Sequence, residues 1–171
     1  MINNNVVIKR QVAATNIDSY NRTAIHTADL PNGSVFALEG KNATEREVWD
    51  VTAPTANQVG LWMATAPEVM YVNADFGGSL DPRLYTNKAG KAFDVTYLVP
   101  KDIVEMTGDG ITGIATAKYL VADTTTTLKS ATAAPTAGIA LKKIGTDTFK
   151  IGTGALAPAA IPTYIFEVVA N

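Results

Sequence analysis

The chain has 171 residues, of which 47% are hydrophobic and 18% charged, and its formal net charge is -2. This length suits one domain with a sizeable core, and the slight acidity disfavours a nucleic-acid partner, because phosphate binding needs surplus Lys and Arg. The absence of Cys and the single His exclude disulfides, thiolate nucleophiles and paired imidazoles. The low charge is accompanied by 22 Thr and 26 Ala residues.

The chain begins with a short polar stretch, Met1 to Asn5, which we interpret as a flexible arm ahead of a single β domain over residues 6–171. The apolar run behind it, Val6 to Ile8, is too short for a secretory signal. No stretch approaches the roughly 18 apolar residues of a membrane-spanning helix. We therefore expect a soluble chain, made in a cytoplasm, with no membrane partner.

Short runs of β-branched and aromatic residues, bounded by turn residues, follow one another along most of the chain. The clearest run is 92–99, in which apolar residues alternate with Asp94 and Thr96, the pattern of a half-buried strand. These runs predict an all-β fold, a compact antiparallel barrel or sandwich of about twelve short strands with little helix. The predicted strands are 5–13, 34–39, 47–52, 58–65, 70–76, 83–86, 92–99, 103–107, 118–122, 126–130, 139–144, 148–152 and 163–169.

Two segments could hold short helices, 17–28 with a capping residue at Asp18 or Ser19, and 111–121. Two stretches rich in small residues and containing Pro, 130–138 and 154–162, are predicted to be extended loops. They bracket residues 139–153, which we interpret as an appended hairpin that packs on the body or pairs with a neighbouring subunit.

Two patterns resemble catalytic or cofactor motifs but lack their context. Gly108, Gly110 and Gly113 match the spacing of a dinucleotide fingerprint, yet a poor helix former follows them, so a tight hairpin turn is the better interpretation. His26 has Ser19 nearby in sequence, but no nucleophile-elbow pattern occurs, and a loop or surface histidine explains it.

Acidic residues are close in sequence at two places. The loop 75–81 offers two carboxylates but lacks the spacing of an EF-hand, so a solvated connection is favoured over a calcium site. Glu39, Glu45, Glu47 and Asp50 could pair as acid and base, or could simply form a polar strand face. We predict no enzyme, no catalytic residue, no metal site and no cofactor.

Most aromatic residues, including Trp49 and Trp62, fall in apolar runs and are expected in the core. Three lie near turns, where an exposed ring would indicate an interface. Together with the amino-terminal arm they give the candidate interface residues, which are Ile2, Asn3, Asn4, Asn5, Tyr71, Phe76 and Tyr85.

Taken as a whole, the chain resembles the small structural proteins of tailed-bacteriophage heads, in particular the capsid decoration (cement) and head-fibre class. The resemblance rests on the Asn-rich start Met1–Asn5, the Ala/Thr/Gly-rich strands and the Gly108-Asp109-Gly110 turn. The small-residue loops and the strand 163–169 add to it. Coiled-coil heptads and collagen-like repeats are absent, which favours a compact knob over a long fibre.

The resemblance implies a virion protein without catalytic activity, located on the outer capsid surface. Its partners would be the major capsid protein of a tailed phage and further copies of itself, with a trimer favoured. Two alternatives stay open. One is a carbohydrate- or host-surface-binding β-module of a tail or adhesion structure, which predicts an exposed aromatic platform. The other is a hydrolase built on the acidic residues between Glu39 and Asp50, which predicts a deep pocket with two facing carboxylates.

Overall fold

The computed structural model describes residues 3–68, 81–153 and 156–171, of which 151–153 and 156–159 are described by their backbone only. In these ranges strands are the predominant regular structure and helix is scarce, as predicted. The strands are β1 (Val7–Gln11), β2 (Asn21–Ile25), β3 (Val35–Lys41), β4 (Val48–Thr52), β5 (Trp62–Ala64), β6 (Phe93–Tyr97), β7 (Ile103–Met106), β8 (Tyr119–Val121), β9 (Lys129–Ala131), β10 (Ala140–Thr153) and β11 (Leu156–Ala170).

Helix is confined, within the described ranges, to single 3-10 turns at Ala13–Thr15, Asp18–Tyr20 and Pro82–Leu84. None of them has the length or hydropathy needed to span a membrane. The last turn begins with Pro82, which fits a first helical position because its missing N–H has no partner there in any case. The Asp81 side chain caps this turn by accepting a hydrogen bond from the Arg83 N–H.

Five strands close into a barrel in the order β2-β4-β3-β5-β6. Four of the pairings are antiparallel, and the pairing of β2 with β4 is parallel. A parallel pair needs a longer connection, and here the chain passes through β3 between the two strands. Closure of the barrel leaves none of its five strands with a free edge.

The other six strands form a sheet in the order β1-β7-β11-β10-β8-β9, with every pairing antiparallel. Asn171, which follows β11, ties this sheet to the barrel. Its amide group donates to the carbonyl oxygens of Leu61 and Leu98 and accepts from the Leu61 N–H, at 2.8–2.9 Å.

Alternation along the strands divides the apolar side chains between two cores. In β3, Phe36 points into the barrel, where it packs edge-on against Phe93, while Val35 and Ala37 belong to the second core. The second core lies between the barrel and the inner face of the six-stranded sheet, which contributes Phe166 among others. Because successive side chains of a strand point to opposite faces, β3 contributes side chains to both cores.

Neither predicted helix forms, apart from the single 3-10 turn at Asp18–Tyr20. Residues 21–25 form β2, because barrel partners on both sides satisfy its backbone and bury Ala24 completely. Residues 112–116 are turns, and 119–121 form β8. Tertiary pairing decides both cases against a weak helical pattern.

The predicted hairpin within 139–153 and the predicted loop 154–162 are also replaced. Residues 140–153 are one continuous strand, and its partner is β11, which begins at Leu156. Gly145 marks a shift in register instead of a turn. Pro162 is tolerated in β11 because, in the described part of the chain, no third strand needs its missing N–H.

The end of the amino-terminal arm is packed on the body. The Asn4 N–H donates to the Arg83 carbonyl at 2.7 Å. Asn5 is 5% exposed, and its side-chain oxygen accepts from the Gly108 N–H at 2.7 Å. Hydrogen bonds therefore hold Asn4 and Asn5 against the body of the protein. The sequence pattern, by contrast, predicts a flexible arm at these positions.

Candidate binding surface

The strands β10 and β11 continue as a two-stranded ribbon beyond the strands that flank them. The flanking pairings cover 140–142 with β8 and 164–167 with β7. From there the two strands pair only with each other, among the described residues, as far as Thr153 and Leu156. We call residues 146–153 and 156–163 the ribbon. Eight residues per strand give it a length of about 26 Å.

A network of polar side chains fastens the foot of the ribbon to β1 and β7. Glu105 is 3% exposed, and it accepts hydrogen bonds from the Arg10 guanidinium and from the Thr163 hydroxyl. Arg10 also donates to Asp147 at 2.6 Å. A buried carboxylate needs such partners, because an unpaired one would carry a large desolvation cost. The network joins four strands at one point.

The hydrogen bonds of this network shift the pKa values of Arg10 and Asp147. Hydrogen bonds to Glu105, and then to Asp147, raise the pKa of Arg10 above its usual value. The Thr148 backbone N–H, and then Arg10, lower the pKa of Asp147. Both groups are therefore charged across the neutral range.

Beside the foot, the face of the sheet that points away from the barrel carries an apolar patch, and we call this face the outward face. Ile103, Ile144 and Ile165 line a shallow depression of about 440 Å³ together with Arg10 and Gln11. Ile144 is 49% exposed. The three Ile side chains come from three adjacent strands and form one patch, of which Ile144 is the exposed part.

A second surface feature lies at one mouth of the barrel. The rings of Tyr20, Tyr97 and Trp62 form a row, with centroid distances of 5.6 Å and 5.3 Å between neighbours. All three rings are half-buried. The Arg22 guanidinium lies 5.7 Å from the centre of the Trp62 ring. The rings are tilted to each other by about 50–56°, so they do not make a single flat platform.

An open polar groove of about 410 Å³ adjoins this row. Arg22 belongs to both features, and the exposed carboxylates of Asp18 and Asp94 line the groove. Lys9 and Asn21 complete its charged and amide side chains. Such a set offers donors and acceptors next to aromatic surface, which is the combination that hydroxyl-rich ligands require.

The structure brings together some of the interface residues predicted from sequence. The Asn4 side chain donates to the Tyr85 carbonyl at 2.8 Å, and Asn3 lies beside it on the wall of a cavity. Tyr85 is half-buried against the barrel core, and burial raises the pKa of its hydroxyl. Asn5 is buried. Ile2, Tyr71 and Phe76 lie outside the described residues.

The weaker sequence patterns occupy ordinary structural positions. Gly108, Gly110 and Gly113 all have positive φ in turns, and no helix follows them. His26 makes a local turn, in which its ring nitrogen accepts from the Ala28 N–H at 3.0 Å. The loop 75–81 lies outside the described residues except for Asp81.

The acidic residues between Glu39 and Asp50 do not face a common pocket. Glu39, Glu45 and Glu47 are exposed, and Asp50 accepts a hydrogen bond from the Asn42 amide at 2.7 Å. Within the part of the chain that the structure describes, no three acidic or His side chains come together as metal ligands.

Sequence reasoning missed the outward face and the ribbon. A signal for the face was present, because the alternation that places Phe166 in the core also places Ile165 and Glu167 on the opposite side. The ribbon had no such signal. Its length depends on the pairing of 140–153 with 156–170, and Gly145 and the Pro residues conceal both strands.

Comparison with known proteins gave no match, either among protein-family models, among curated proteins or among solved structures.

Proposed function

We propose that this chain is a non-enzymatic structural protein of a tailed-phage virion, which binds the outer surface of the capsid and stabilises the shell. The observation that carries the proposal is the ribbon, which continues about 26 Å beyond its flanking strands next to an exposed apolar face. Both features suit attachment to another protein, and neither forms an enclosed pocket for a small substrate.

The ribbon supports the proposal because, among the described residues, no further strand pairs with the backbone groups that point outward from its two edges. A two-stranded hairpin is marginally stable by itself in water. Its open edges can add to a sheet of another protein, where main-chain hydrogen bonds supply affinity. A β-rich capsid subunit is a partner with suitable sheet edges.

The outward face supports the proposal because its centre is apolar and its margin is charged. The exposed Ile144 and the half-buried Ile103 and Ile165 form an apolar centre, and the charged side chains of Arg10 and Glu167 lie at its margin. This is the usual arrangement of a specific protein interface, which is depleted of charge at its core. A durable contact would bury roughly 1,000 Å² or more in total.

Stabilisation of the shell would follow from mass action. A protein that binds only assembled capsid lowers the free energy of that state and leaves dissociated subunits unaffected. Many equivalent sites on a shell multiply this effect. We further propose that the chain forms a homo-oligomer, with a trimer favoured, which light scattering of the purified protein will test directly.

The test is density-gradient fractionation of a lysate of the source culture, probed with an antibody against this chain. The proposal predicts that the protein bands with dense particles at a fixed ratio to one major shell protein. Retention of that ratio after a second gradient at raised salt would support a specific apolar contact. Recovery only in the light fractions would overturn the proposal.

A second candidate function, binding of carbohydrate on a host or tail surface, is favoured by the barrel mouth. The row of Tyr20, Tyr97 and Trp62 provides aromatic surface, and the groove with Asp18 and Asp94 provides hydrogen-bonding groups. Sugars bind by combining these two kinds of contact. The tilt of the rings and the position of Arg22 over Trp62 weigh against it.

Tryptophan fluorescence separates the two functions. A glycan ligand at the barrel mouth would change the emission of Trp62, and Trp62→Phe would remove that change while retaining an aromatic ring. Trp49→Phe is the matched control, because Trp49 lies on β4 with Lys41 over its ring. A screen of glycans without any Trp62-dependent change would eliminate the carbohydrate function.

A further inference from the structure

The turn that leads into β3 contains the one Asn-Gly dipeptide of the sequence, Asn32-Gly33. Glycine has no Cβ, so nothing obstructs the approach of the preceding asparagine side chain to its nitrogen. In an unfolded chain the Gly33 nitrogen can therefore attack Cγ of Asn32, which releases ammonia and closes a succinimide ring. Water then opens the ring to aspartate or isoaspartate, so that a carboxylate replaces the amide.

In the folded protein both reacting groups are held by other partners. Asn32 is 1% exposed, and its Nδ2 donates to the Ala66 carbonyl at 2.7 Å and to Oε1 of Glu68 at 2.6 Å. The Gly33 N–H donates to the Ala64 carbonyl at 2.9 Å. Ring closure requires that these bonds break, so the reaction depends on local or global opening of the turn.

The backbone of the turn opposes ring closure as well. The Ser34 N–H donates to the Pro31 carbonyl at 3.3 Å, and the φ of Gly33 is +80°. A positive φ at the third position is typical of a type II turn, which holds ψ of its second residue, Asn32, near about +120°. The succinimide ring includes the Cα–C bond and needs Cβ and the next nitrogen nearly eclipsed, which occurs at negative ψ.

We propose that Asn32 is a deamidation site that the folded turn protects and that unfolding converts, by reaction with Gly33 and water, into aspartate or isoaspartate. The inference does not rest on the proposed function. It makes unfolding a one-way step whenever the chain stays open long enough to react, because the products lack contacts that the native turn needs.

An aspartate at position 32 would replace a donor by an acceptor in the middle of the turn. Its oxygen would lie where Nδ2 lies, 2.6–2.7 Å from the Ala66 carbonyl oxygen and the Glu68 carboxylate, which are acceptors too. Unpaired acceptors and like charges at this distance both destabilise a buried site. An isoaspartate adds one carbon to the main chain, so it would also displace the Gly33 N–H from the Ala64 carbonyl.

The test is incubation of the intact protein in mildly alkaline buffer, with and without denaturing urea, followed by peptide mapping with mass spectrometry. We expect Asn32 to convert about tenfold or more faster in urea than in the native protein. Asn57 is the internal control, because it is exposed and precedes Gln58. Its conversion should be slower than that of Asn32 in urea and should differ less than about threefold between the two conditions.

Two variants complete the test. Gly33→Ala should slow the conversion of Asn32 in urea about fivefold or more, a comparison that does not depend on folding. Asn32→Asp should lower Tm by about 5–15 °C or prevent folding, whereas the control Asn57→Asp should change Tm by less than about 2 °C.

Two results would overturn the proposal. One is an equal rate for Asn32 in the native protein and in urea, which would mean that the turn does not protect the site. The other is a Tm for Asn32→Asp as close to wild type as that of Asn57→Asp, which would mean that the product fits the native turn.

Discussion

Nη2 of Arg10 lies 2.6 Å from Oδ2 of Asp147, although 137 positions separate the two residues in the chain. Arg10 simultaneously donates to Glu105, which in turn accepts from the Thr163 hydroxyl. The contact thus fixes both strands of the ribbon to β1 and β7 at one point. The burial of Glu105 makes this point the most sensitive part of the attachment.

The first prediction concerns that buried carboxylate. Thr163→Val keeps the shape of the side chain but removes the donor, and it leaves Oε1 of Glu105 without that partner. We expect a loss of about 1–3 kcal/mol in the free energy of unfolding, measured by urea denaturation. Asp147→Asn should change stability much less, because that carboxylate is half-exposed. Equal losses in the two variants would mean that the buried contact of Thr163 with Glu105 contributes no more than the exposed contact of Asp147 with Arg10.

The second prediction concerns acid. Hydrogen bonds from the Thr148 N–H and from Arg10 lower the pKa of Asp147. Hydrogen bonds from Lys88 and from the Ala89 N–H lower the pKa of Asp29. The hydrogen bond from the Arg83 side chain lowers the pKa of Asp81. A carboxyl with a lowered folded-state pKa stabilises the fold above its unfolded pKa of about 3.9 and loses that contribution as pH falls through the folded value.

The urea midpoint should therefore fall between about pH 5 and pH 2, while remaining nearly constant between pH 6 and pH 8. Asp147→Asn should reduce the slope in the acid range, because the variant no longer titrates at that position. A midpoint that rises on acidification would contradict these pKa directions.

The third prediction concerns Gly33. Its φ is +80°, and a Cβ there would lie well inside contact distance of the Asn5 amide. Asn5 cannot easily yield, since its side-chain oxygen holds the Gly108 N–H. Gly33→Ala should cost about 2–5 kcal/mol, through backbone strain and the lost hydrogen bonds of Asn5.

Gly90 provides the control for that variant. It also has a positive φ, of +66°, but a Cβ there would meet no atom within 4 Å. Gly90→Ala should cost only the backbone strain, about 1–2 kcal/mol. Thermal unfolding of both variants checks the comparison, and similar losses would mean that the packing of Asn5 contributes little.

Much of the fold could be predicted from the sequence. The alternation in 92–99 identifies β6, and the runs at 34–39 and 47–52 identify β3 and β4, because a period of two is visible wherever one face is buried. The parallel pairing of β2 with β4 could not be predicted. It depends on closure of the barrel, to which residues distant in sequence contribute.

The candidate binding surface was less predictable, for a related reason. A ribbon of small, polar and Pro residues resembles a loop when its strands are viewed singly, and only the register between 140–153 and 156–170 reveals it. The sequence predicts Asn4 and Tyr85 as separate interface residues, whereas the structure joins them by a hydrogen bond from the Asn4 side chain to the Tyr85 carbonyl. Contacts between residues so far apart in sequence leave no local pattern.

If the outward face beside the ribbon binds the capsid, as we propose, rebinding of the protein to particles should depend on Ile144. Purified dense particles stripped of this protein are mixed with wild type, Ile144→Glu or Val59→Glu, and the bound fraction is measured by sedimentation. Ile144 is 49% exposed on the outward face, and Val59 is 61% exposed on a loop before β5.

We expect wild type and Val59→Glu to rebind alike. We expect Ile144→Glu to lose at least tenfold in affinity while its circular dichroism and Tm stay unchanged, because a charge would be buried in an apolar contact. Equal rebinding by all three proteins, or no rebinding by wild type, would contradict the proposed attachment.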